Sequence, residues 1–409
     1  MREMKDSGVE WIGEIPKDWN CMRLKFAFGN SNVGESVDKE LYSSDENGYI
    51  FYTAGANPVK TSYTEFPMWK YTTDNDILLA RNGTPYIYLP SKDAVYSDHI
   101  IRINIKDGYC RRFLRYCLQR SIESIIVDSV SIATWSISLW KEQKLPLPYY
   151  HEQKYLADYL DSKCSKIDEI IEKQQAIIKK LKEYKFSIIT EAVTKGINPD
   201  VELKDSNIDM CEQIPVHWGI SQNRYLFSLR DEKNYKPLEE VRLLSLYTDL
   251  GVFPHGEQEE RGNKAVKAEG YKVVYENDIV VNIILAWMGA IGRSAYDGVT
   301  SPAYDIYKPN ENVCSRYYHY LCRTKPFSAE CYKYGRGIMA MRWRTYSSEF
   351  KSIKVPVPPY IEQCQIADYL DSKCEMLDKT IADRNKAIDI LQEYKKSLIY
   401  EVVTGKKEV

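Results

Sequence analysis

Residues 146–164 read PLPYYHEQKYLADYLDSKC, and residues 356–374 read PVPPYIEQCQIADYLDSKC. Thirteen of these 19 positions are identical at an offset of 210 residues, including the unbroken run ADYLDSKC. A repeat with this level of sequence identity indicates that one structural unit occurs twice in the 409-residue chain. The rest of the fold can be worked out from these two segments.

After the prolines that open each repeat, the chain lacks glycine and proline for more than about 40 residues, as a long helix requires. Apolar residues recur there with alternating spacings of four and three, the pattern of a coiled-coil seam. The seam predicted for the first helix comprises Ile167, Ile171, Ile178, Leu181 and Ile188. The seam predicted for the second comprises Leu377, Ile381, Ile388, Leu391 and Leu398. Gly196 and Gly405 are predicted to end the helices.

Two such helices in one chain can cover each other's seams, and an antiparallel pair is the favoured arrangement. Homodimerisation through each seam is the alternative. The stretch 152–193 would be roughly 63 Å long at about 1.5 Å per residue. A rod of this length, with a globular domain at each end, would act as a spacer.

Shorter matches precede each variable region, at an offset of 199 residues. Residues 5–7 and 204–206 both read KDS, and Ile-Pro-x-x-Trp begins at Ile15 and again at Ile214. The order of parts therefore predicts the following domains: 1–145 as a first variable domain with its lead-in, 146–196 as a central repeat, 197–355 as a second variable domain, and 356–409 as a C-terminal repeat.

The variable regions, about 20–145 and 219–355, differ over most of their length. Strand-like runs at 76–80 and 278–281, with helix candidates at 110–126 and 313–334, predict two compact α+β domains. Basic residues concentrate in 102–120 and 316–354, and tyrosines interleave with the second stretch. This combination is typical of surfaces that follow DNA phosphates, although a solvated helix face explains most charge runs.

Composition narrows the function further. The chain has 56 Lys and Arg against 58 Asp and Glu, which excludes a globally basic coat protein. No phosphate loop, dinucleotide fingerprint or nuclease motif stands out, so we predict no catalytic residues. The ten cysteines form no Cys-x-x-Cys pair, and we predict no metal site. Without a signal-like or membrane-spanning run, we expect a cytoplasmic protein.

The order of parts resembles the specificity (S) subunit of type I restriction–modification systems. The resemblance rests on GVEWIGEIPKDW at 8–19, on Pro-x-Pro-x-x-x-Glu-Gln followed by ADYLD in both repeats, and on LKEYK and EAVTKG within 181–196. WMGA at 287–290 and SPAY at 301–304 also resemble one class of its recognition domains. The likeness covers essentially the whole chain.

The resemblance implies a fold of two target recognition domains joined by two long antiparallel coiled-coil helices, with an internal pseudo-twofold repeat. It implies that each domain reads one half of a bipartite, asymmetric site on double-stranded DNA, and that the helices set the gap. The expected partners are two modification (methyltransferase) subunits and two restriction (translocase and nuclease) subunits. The chain itself would bind no cofactor, because S-adenosylmethionine, ATP and Mg²⁺ belong to those partners.

Base-reading residues differ between members of this family, so they are predicted here from residue type and position. Arg and Lys can read guanine, and Asn can read adenine, in the major groove. In the first domain we predict Arg81, Asn82, Thr84, Ser131, Thr134 and Trp135. In the second we predict Asn282, Trp287, Arg336, Arg342 and Arg344.

Two other classes of function stay open at this point. A duplicated coiled-coil protein–protein scaffold would show no salt-dependent affinity for DNA. A self-sufficient methyltransferase or nuclease would be active as an isolated chain, and the missing motifs argue against it.

Overall fold

A computed structural model describes residues 2–43, 48–127, 134–248, 251–255, 268–337 and 343–409. The chain divides into two compact units, one made of residues 1–175 and 385–409 and the other of residues 176–384. Each unit therefore contains one recognition domain, part of one long helix and part of the other.

The first unit combines short strands with two helices of its own and parts of the two long helices. Its strands are β1 (Met4–Asp6), β2 (Glu14–Pro16), β3 (Asn20–Arg23), β4 (Phe28–Val33), β5 (Tyr42–Ser43), β6 (Tyr49–Tyr52), β7 (Val59–Thr61), β8 (Asp76–Ala80), β9 (Ile87–Tyr88), β10 (Val95–Tyr96), β11 (Ile100–Ile105) and β12 (Lys144–Leu147). Its helices are α1 (Arg111–Val127), α2 (Ile137–Lys141) and the first part of α3 (Tyr150–Lys195). Short 3₁₀ turns lie at Leu24–Phe26, Lys39–Leu41 and Met68–Lys70.

The core of the first domain is an antiparallel sheet in the order β4-β11-β8-β9. Every residue of β8 is buried, as expected for a continuous apolar run covered on both faces. Its neighbour β11 has a largely alternating burial pattern. A second sheet, in the order β10-β6-β7-β5, packs aromatic side chains of residues 42–71 around Phe51 and Phe66.

The second unit repeats this plan. Its strands are β13 (Leu203–Ile208), β14 (Cys211–Pro215), β15 (Gly219–Gln222), β16 (Phe227–Arg230), β17 (Leu244–Tyr247), β18 (Gly251–Pro254), β19 (Lys272–Val274), β20 (Ile279–Asn282), β21 (Ile291–Arg293), β22 (Gly298–Thr300), β23 (Tyr304–Pro309) and β24 (Lys354–Val357). Its helices are α4 (Asn223–Leu226), α5 (Ser315–Cys322), α6 (Lys325–Tyr334), α7 (Ser347–Ser352) and the first part of α8 (Tyr360–Val403). Leu238–Glu240 and Ala286–Met288 are 3₁₀ turns.

The central sheet of the second domain has the order β16-β23-β20-β21, which is the topology of β4-β11-β8-β9. The register fixes the correspondence, because Ala80 pairs with Ile100 and Asn282 pairs with Tyr304. Two sequences that look unrelated thus build the same sheet. The domains differ outside it, where the second has two separate two-stranded sheets, β17-β18 and β19-β22.

The long helices run antiparallel within each unit. In the first unit Lys395 Nζ of α8 lies 2.6 Å from Asp168 Oδ2 of α3, and Arg2 bonds both Glu152 and Glu408, near opposite helix ends. In the second unit Lys185 Nζ lies 2.6 Å from Asp378 Oδ2. Both lysines occupy polar positions of the seam pattern. Pairing across the helices explains why neither position is apolar.

The seam assignment stays a prediction, and the burial of its residues agrees with it. All ten residues, Ile167, Ile171, Ile178, Leu181, Ile188, Leu377, Ile381, Ile388, Leu391 and Leu398, are buried or half-buried. The outer faces of both helices are charged and exposed. The predicted fold class, an α+β chain with two domains and a repeated pair of antiparallel helices, is therefore confirmed.

The helices end at the predicted glycines, where the lead-in segments pack. Gly196 and Gly405 have φ of +80° and +72°, the left-handed conformation of a C-terminal cap. A Cβ on Gly405 would lie 2.5 Å from Pro16 Cδ, so the Ile-Pro-x-x-Trp motif sits directly on this helix end. Pro215 and Trp218 contact Gly196 in the same way, at longer distances.

One predicted helix is interrupted. The stretch 313–334 forms two helices, α5 and α6, because the side chain of Thr324 caps a new helix by accepting from Phe327 N, and Pro326 occupies its first turn. The predicted domain boundaries at 145/146, 196/197 and 355/356 stay predictions. They lie within four residues of the first or last residue of a long helix.

Candidate DNA-recognition surfaces

In the first domain, the predicted base-reading residues surround the turn that follows β8. Arg81 and Thr84 are exposed, and Asn82 is half-buried. Gly83 has a φ of +68°, and a Cβ there would have no neighbour within 4 Å. Among the described residues the tip of the turn is therefore open, and a ligand could approach the backbone of Gly83.

A returning segment pairs with this turn. Thr134 forms an antiparallel bridge with Asn82, and Trp135 N donates to Arg81 O at 2.6 Å. The indole Nε1 of Trp135 donates to Gly83 O at 3.2 Å, and its ring packs on Trp140 with centroids 5.7 Å apart. The structure thus brings Arg81, Asn82, Thr84 and Thr134 together.

Trp135 has a different place from the one we predicted. It is 1% exposed, so its ring supports the turn from below and offers no face to a base. A buried aromatic residue and an exposed one look the same in a single sequence. Ser131, also predicted here, lies outside the described residues.

His99 is a member of this cluster that sequence reasoning missed. Its Nδ1 lies 2.8 Å from Asn82 Nδ2, and Arg81 N donates to His99 O at 2.8 Å. His99 directly precedes β11, the strand that pairs with β8. Pairing these two strands from sequence would have placed residue 99 opposite residue 81.

In the second domain, the corresponding turn is more buried. Asn282 ends β20 and is 6% exposed, and its Oδ1 accepts from Ile284 N at 3.0 Å and Leu285 N at 3.4 Å. Trp287 is half-buried and donates from Nε1 to Ile284 O at 3.0 Å. Asn282 therefore shapes the turn, and its side chain is not presented to a base as we predicted.

A returning segment also pairs with this second turn. Arg336 and Arg344 exchange two backbone hydrogen bonds of 2.9 Å, and Thr345 N donates to Ile283 O at 2.9 Å. The guanidinium of Arg336 is exposed and forms an ion pair with Glu349. Arg336 and Arg344 are thus brought together. Arg342 lies outside the described residues.

Aromatic rings dominate the surface beside this turn. Tyr332 stacks on Trp343 with centroids 4.9 Å apart, and the centroid of the tilted Trp287 ring lies 5.8 Å from that of Tyr332. Trp343 Nε1 donates to Tyr332 O at 2.9 Å, which locks the stack. Half of Tyr332 is exposed. This surface can make apolar and stacking contacts, in contrast to the polar surface of the first domain.

Much of the charge in the two basic stretches is used inside the fold. Arg102 donates to Trp69 O and Tyr71 O, and its Nε lies 3.6 Å from the buried carboxylate of Asp76. Arg111 donates to backbone carbonyls in the same domain. These two arginines are therefore used to hold the first domain together, and DNA contact by the other basic residues of the two stretches stays a prediction.

The repeated ADYLD motif holds each recognition domain on its helix. In the first unit Arg112 donates to Asp158 and Asp161 at 2.6 Å each, and Tyr116 OH donates to Asp161 at 2.8 Å. Burial, together with the bond to Asp161, raises the pKa of Tyr116. We call this set of contacts the domain–helix joint.

The second unit builds the same joint on the second long helix, with aspartates that lie 210 residues later in the chain. Arg316 donates to Asp368 and Asp371 at 2.7 Å each, and Tyr320 OH donates to Asp371 at 2.6 Å. The bonds to Asp368 and Asp371 hold the pKa of the Arg316 guanidinium above its ordinary value. Different domains are thus attached through identical chemistry.

A buried glutamine completes each joint. Gln153 Oε1 accepts from Cys110 N and its Nε2 donates to Pro148 O, both at 2.9 Å. Gln363 makes bonds of the same lengths to Cys314 N and Pro358 O. Both glutamines are 1% exposed. Both repeats need a glutamine here because its side chain hydrogen-bonds a backbone N–H and a backbone carbonyl that are buried.

Within the described residues, no group of three or more His, Cys, Asp or Glu side chains could hold a metal ion. In the same part of the chain, no helix is long and apolar enough to cross a membrane.

Comparison with known proteins agrees with the architecture. Residues 16–191 match the family model of the type I restriction modification DNA specificity domain. The type I restriction enzyme MjaVIII specificity subunit of Methanocaldococcus jannaschii is 23% identical, over 97% of this chain and 94% of that protein.

Two solved structures share the fold. A chain from a structural study of the assembly and conformational transition of the type I R-M system aligns with a TM-score of 0.69 and 12% identity, over 96% of this chain and 99% of that chain. The HsdS subunit from Thermoanaerobacter tengcongensis aligns with a TM-score of 0.50 and 14% identity, over 96% and 98% of the two chains.

Proposed function

Because the chain belongs to the family of specificity subunits of type I restriction–modification systems, we propose that its two domains read the two halves of a bipartite, asymmetric DNA site. The observation that carries this proposal is that one sheet topology and one domain–helix joint occur twice, with different turn surfaces. A duplicated scaffold with two unlike surfaces fits a site whose halves differ in sequence.

The long helices would set the gap between the half-sites. They contain 46 and 44 residues, roughly 69 and 66 Å at about 1.5 Å per residue. Removing one heptad keeps the seam in phase and shortens a helix by roughly 10 Å, the rise of about three base pairs.

The spacer role can be tested by deleting residues 176–182 together with 381–387, seven residues from each seam. We expect a gap about three base pairs shorter and unchanged half-sites. Replacing the same two heptads by seam-preserving sequences of equal length is the control. An unaltered gap in the deletion variant would reject the spacer role.

The chain would act without catalytic residues, as a scaffold for two modification subunits and two restriction subunits. S-adenosylmethionine, ATP and Mg²⁺ would be held by those subunits. Support for two identical partners comes from Tyr150 and Tyr360, which occupy equivalent positions at the start of the long helices and are each 47% exposed. Identical exposed side chains on a duplicated scaffold suit two copies of one partner.

This docking role predicts a stepwise loss of modification subunits. We expect Tyr150→Ala or Tyr360→Ala to weaken one of two bound copies, and the double variant to weaken both, as read by native mass spectrometry of the complex. Ile390→Ala is a suitable control, because Ile390 is exposed and has a lysine at the equivalent position of the first helix. If all variants retained both copies of the modification subunit equally, Tyr150 and Tyr360 would have no role in docking them.

The decisive experiment is a genome-wide adenine-methylation map of cells that express this chain with its modification subunit. A two-part motif with a fixed gap is the expected result. Replacing residues 20–145 by the corresponding region of a relative should then change one half only. If the complex assembles and its DNA affinity shows neither sequence preference nor salt dependence, the chain is a protein–protein scaffold instead.

A further inference from the structure

We infer that Asn82 and His99 together form a reader of adenine in the half-site of the first domain, an inference that rests on the proposed function. Asn82 Nδ2 lies 2.8 Å from His99 Nδ1, and the two side chains come from the ends of adjacent strands. The side chain of His99 is 56% exposed. The pair therefore belongs to the surface and has no role in the core.

The contact determines which way the amide of Asn82 faces. An amide nitrogen can only donate, so Nδ1 of His99 accepts and its proton resides on Nε2. The carboxylate of Asp98 lies 3.9 Å from Nε2 and favours this tautomer. One N–H of Asn82 is thus used, and its second N–H and its Oδ1 can face outward as a donor and an acceptor.

An outward donor beside an outward acceptor matches the major-groove edge of adenine. Nδ2 can donate to N7, and Oδ1 can accept from the N6 amino group. Guanine offers two acceptors on that edge, so Oδ1 would face O6 without a donor between them. Because His99 fixes the amide before DNA binds, the pair loses little conformational freedom on binding and discriminates more strongly.

The surroundings leave room for a base pair. Gly83 follows Asn82 and has an open tip, and Arg81 and Thr134 flank it with exposed side chains that can contact phosphates. In the second domain the equivalent positions hold Ile284 and Ala303. These two side chains cannot form such a polar pair, so the adenine reader should affect only one half-site.

The test uses the complex of this chain with its modification subunit, and duplex pools randomised at each position of the first half-site. For the wild-type chain we expect one position that requires adenine by roughly 5- to 150-fold. Asn82→Ala and His99→Ala should each relax that position alone, and the double variant should add little to either single one.

Asn82→Asp provides a variant of nearly identical size that keeps the acceptor and loses the donor. We expect it to shift the preferred base at that position from adenine towards cytosine, whose amino group donates to a carboxylate. His255→Ala is the matched control, because His255 makes a similar exposed contact to Ser245 at 2.8 Å in the second domain. It should leave the first half-site unchanged.

The outcomes separate this inference from the function on which it rests. Uniform weakening across all sequences by Asn82→Ala would mean phosphate contact and overturn the inference. Unchanged preference in Asn82→Asp would overturn it too. Absence of any sequence preference in the wild-type complex would instead reject the proposed function.

Discussion

The two recognition domains share a sheet and a joint, and they differ where the central strand ends. In the first domain that end carries Arg81 and the Asn82–His99 pair, which are polar and accessible. In the second it is closed by the capping side chain of Asn282, beside an aromatic stack. The aspartates and glutamines of the two joints are identical, whereas the side chains at the end of the central strand differ.

The largest expected effect comes from the glycines that end the two long helices. We expect Gly405→Ala to destabilise the first unit by about 3 kcal/mol and Gly196→Ala to destabilise the second by about 1 kcal/mol. Both residues have positive φ, which penalises any side chain, but only Gly405 would place a Cβ 2.5 Å from proline atoms. Thermal unfolding with limited proteolysis of the lead-ins would measure this. Equal losses would show that Pro16 can move aside.

The two joint glutamines should contribute equally to the free energy of unfolding. Gln153→Ala and Gln363→Ala should each cost about 1–3 kcal/mol, because each leaves a buried backbone N–H without its acceptor. Denaturant unfolding of both variants, with the exposed Gln392 changed to Ala as a control, would check this. A clear difference between the two losses would show that the joints are not energetically equivalent.

Acid should destabilise the second unit more than the first. Partial burial between Gly251 and Gly292, together with Arg323 and Arg293, lowers the pKa of His319 to about 3. The unfolded chain therefore binds this proton more readily, and stability falls as pH drops from about 6.5 towards 3, by up to about 1.4 kcal/mol per pH unit.

The equivalent position of the first unit holds Arg115, so that unit lacks this histidine. Hydrogen exchange against pH should show the second unit opening first. His319→Gln should reduce the difference, since glutamine can keep an acceptor for Arg293 N and carries no titrating proton. An unchanged pH dependence in that variant would assign the acid sensitivity to other groups.

The interhelical ion pairs should contribute least. Lys185–Asp378 and Lys395–Asp168 are partly exposed, so each should contribute about 0.2–1 kcal/mol and weaken with salt. A double-mutant cycle with alanine at each position would measure the coupling. Values well above this range would mean that the pairs specify helix register.

The sequence predicted the helices more accurately than it predicted which side chains face outward at the turns. The seam residues were found because a helical period shows directly in the order of apolar residues, as in Ile167 and Ile171. The predicted base-reading residues lie in different environments. Arg81 lies on the open turn, but Trp135 is buried below it. Residue type and position along the chain do not tell on which side of a turn a side chain lies.

The amino-acid order sufficed for the duplication, the long helices and their glycine ends, since each depends on residues close together in the chain or on direct repetition. The partnership of Arg112 with Asp158 and Asp161, and that of Asn82 with His99, depended on the folded chain. Those contacts join residues that are far apart in sequence, and their geometry arises only when strands and helices have packed. Local chemistry therefore specified the scaffold, whereas packing selected which polar groups remain available to DNA.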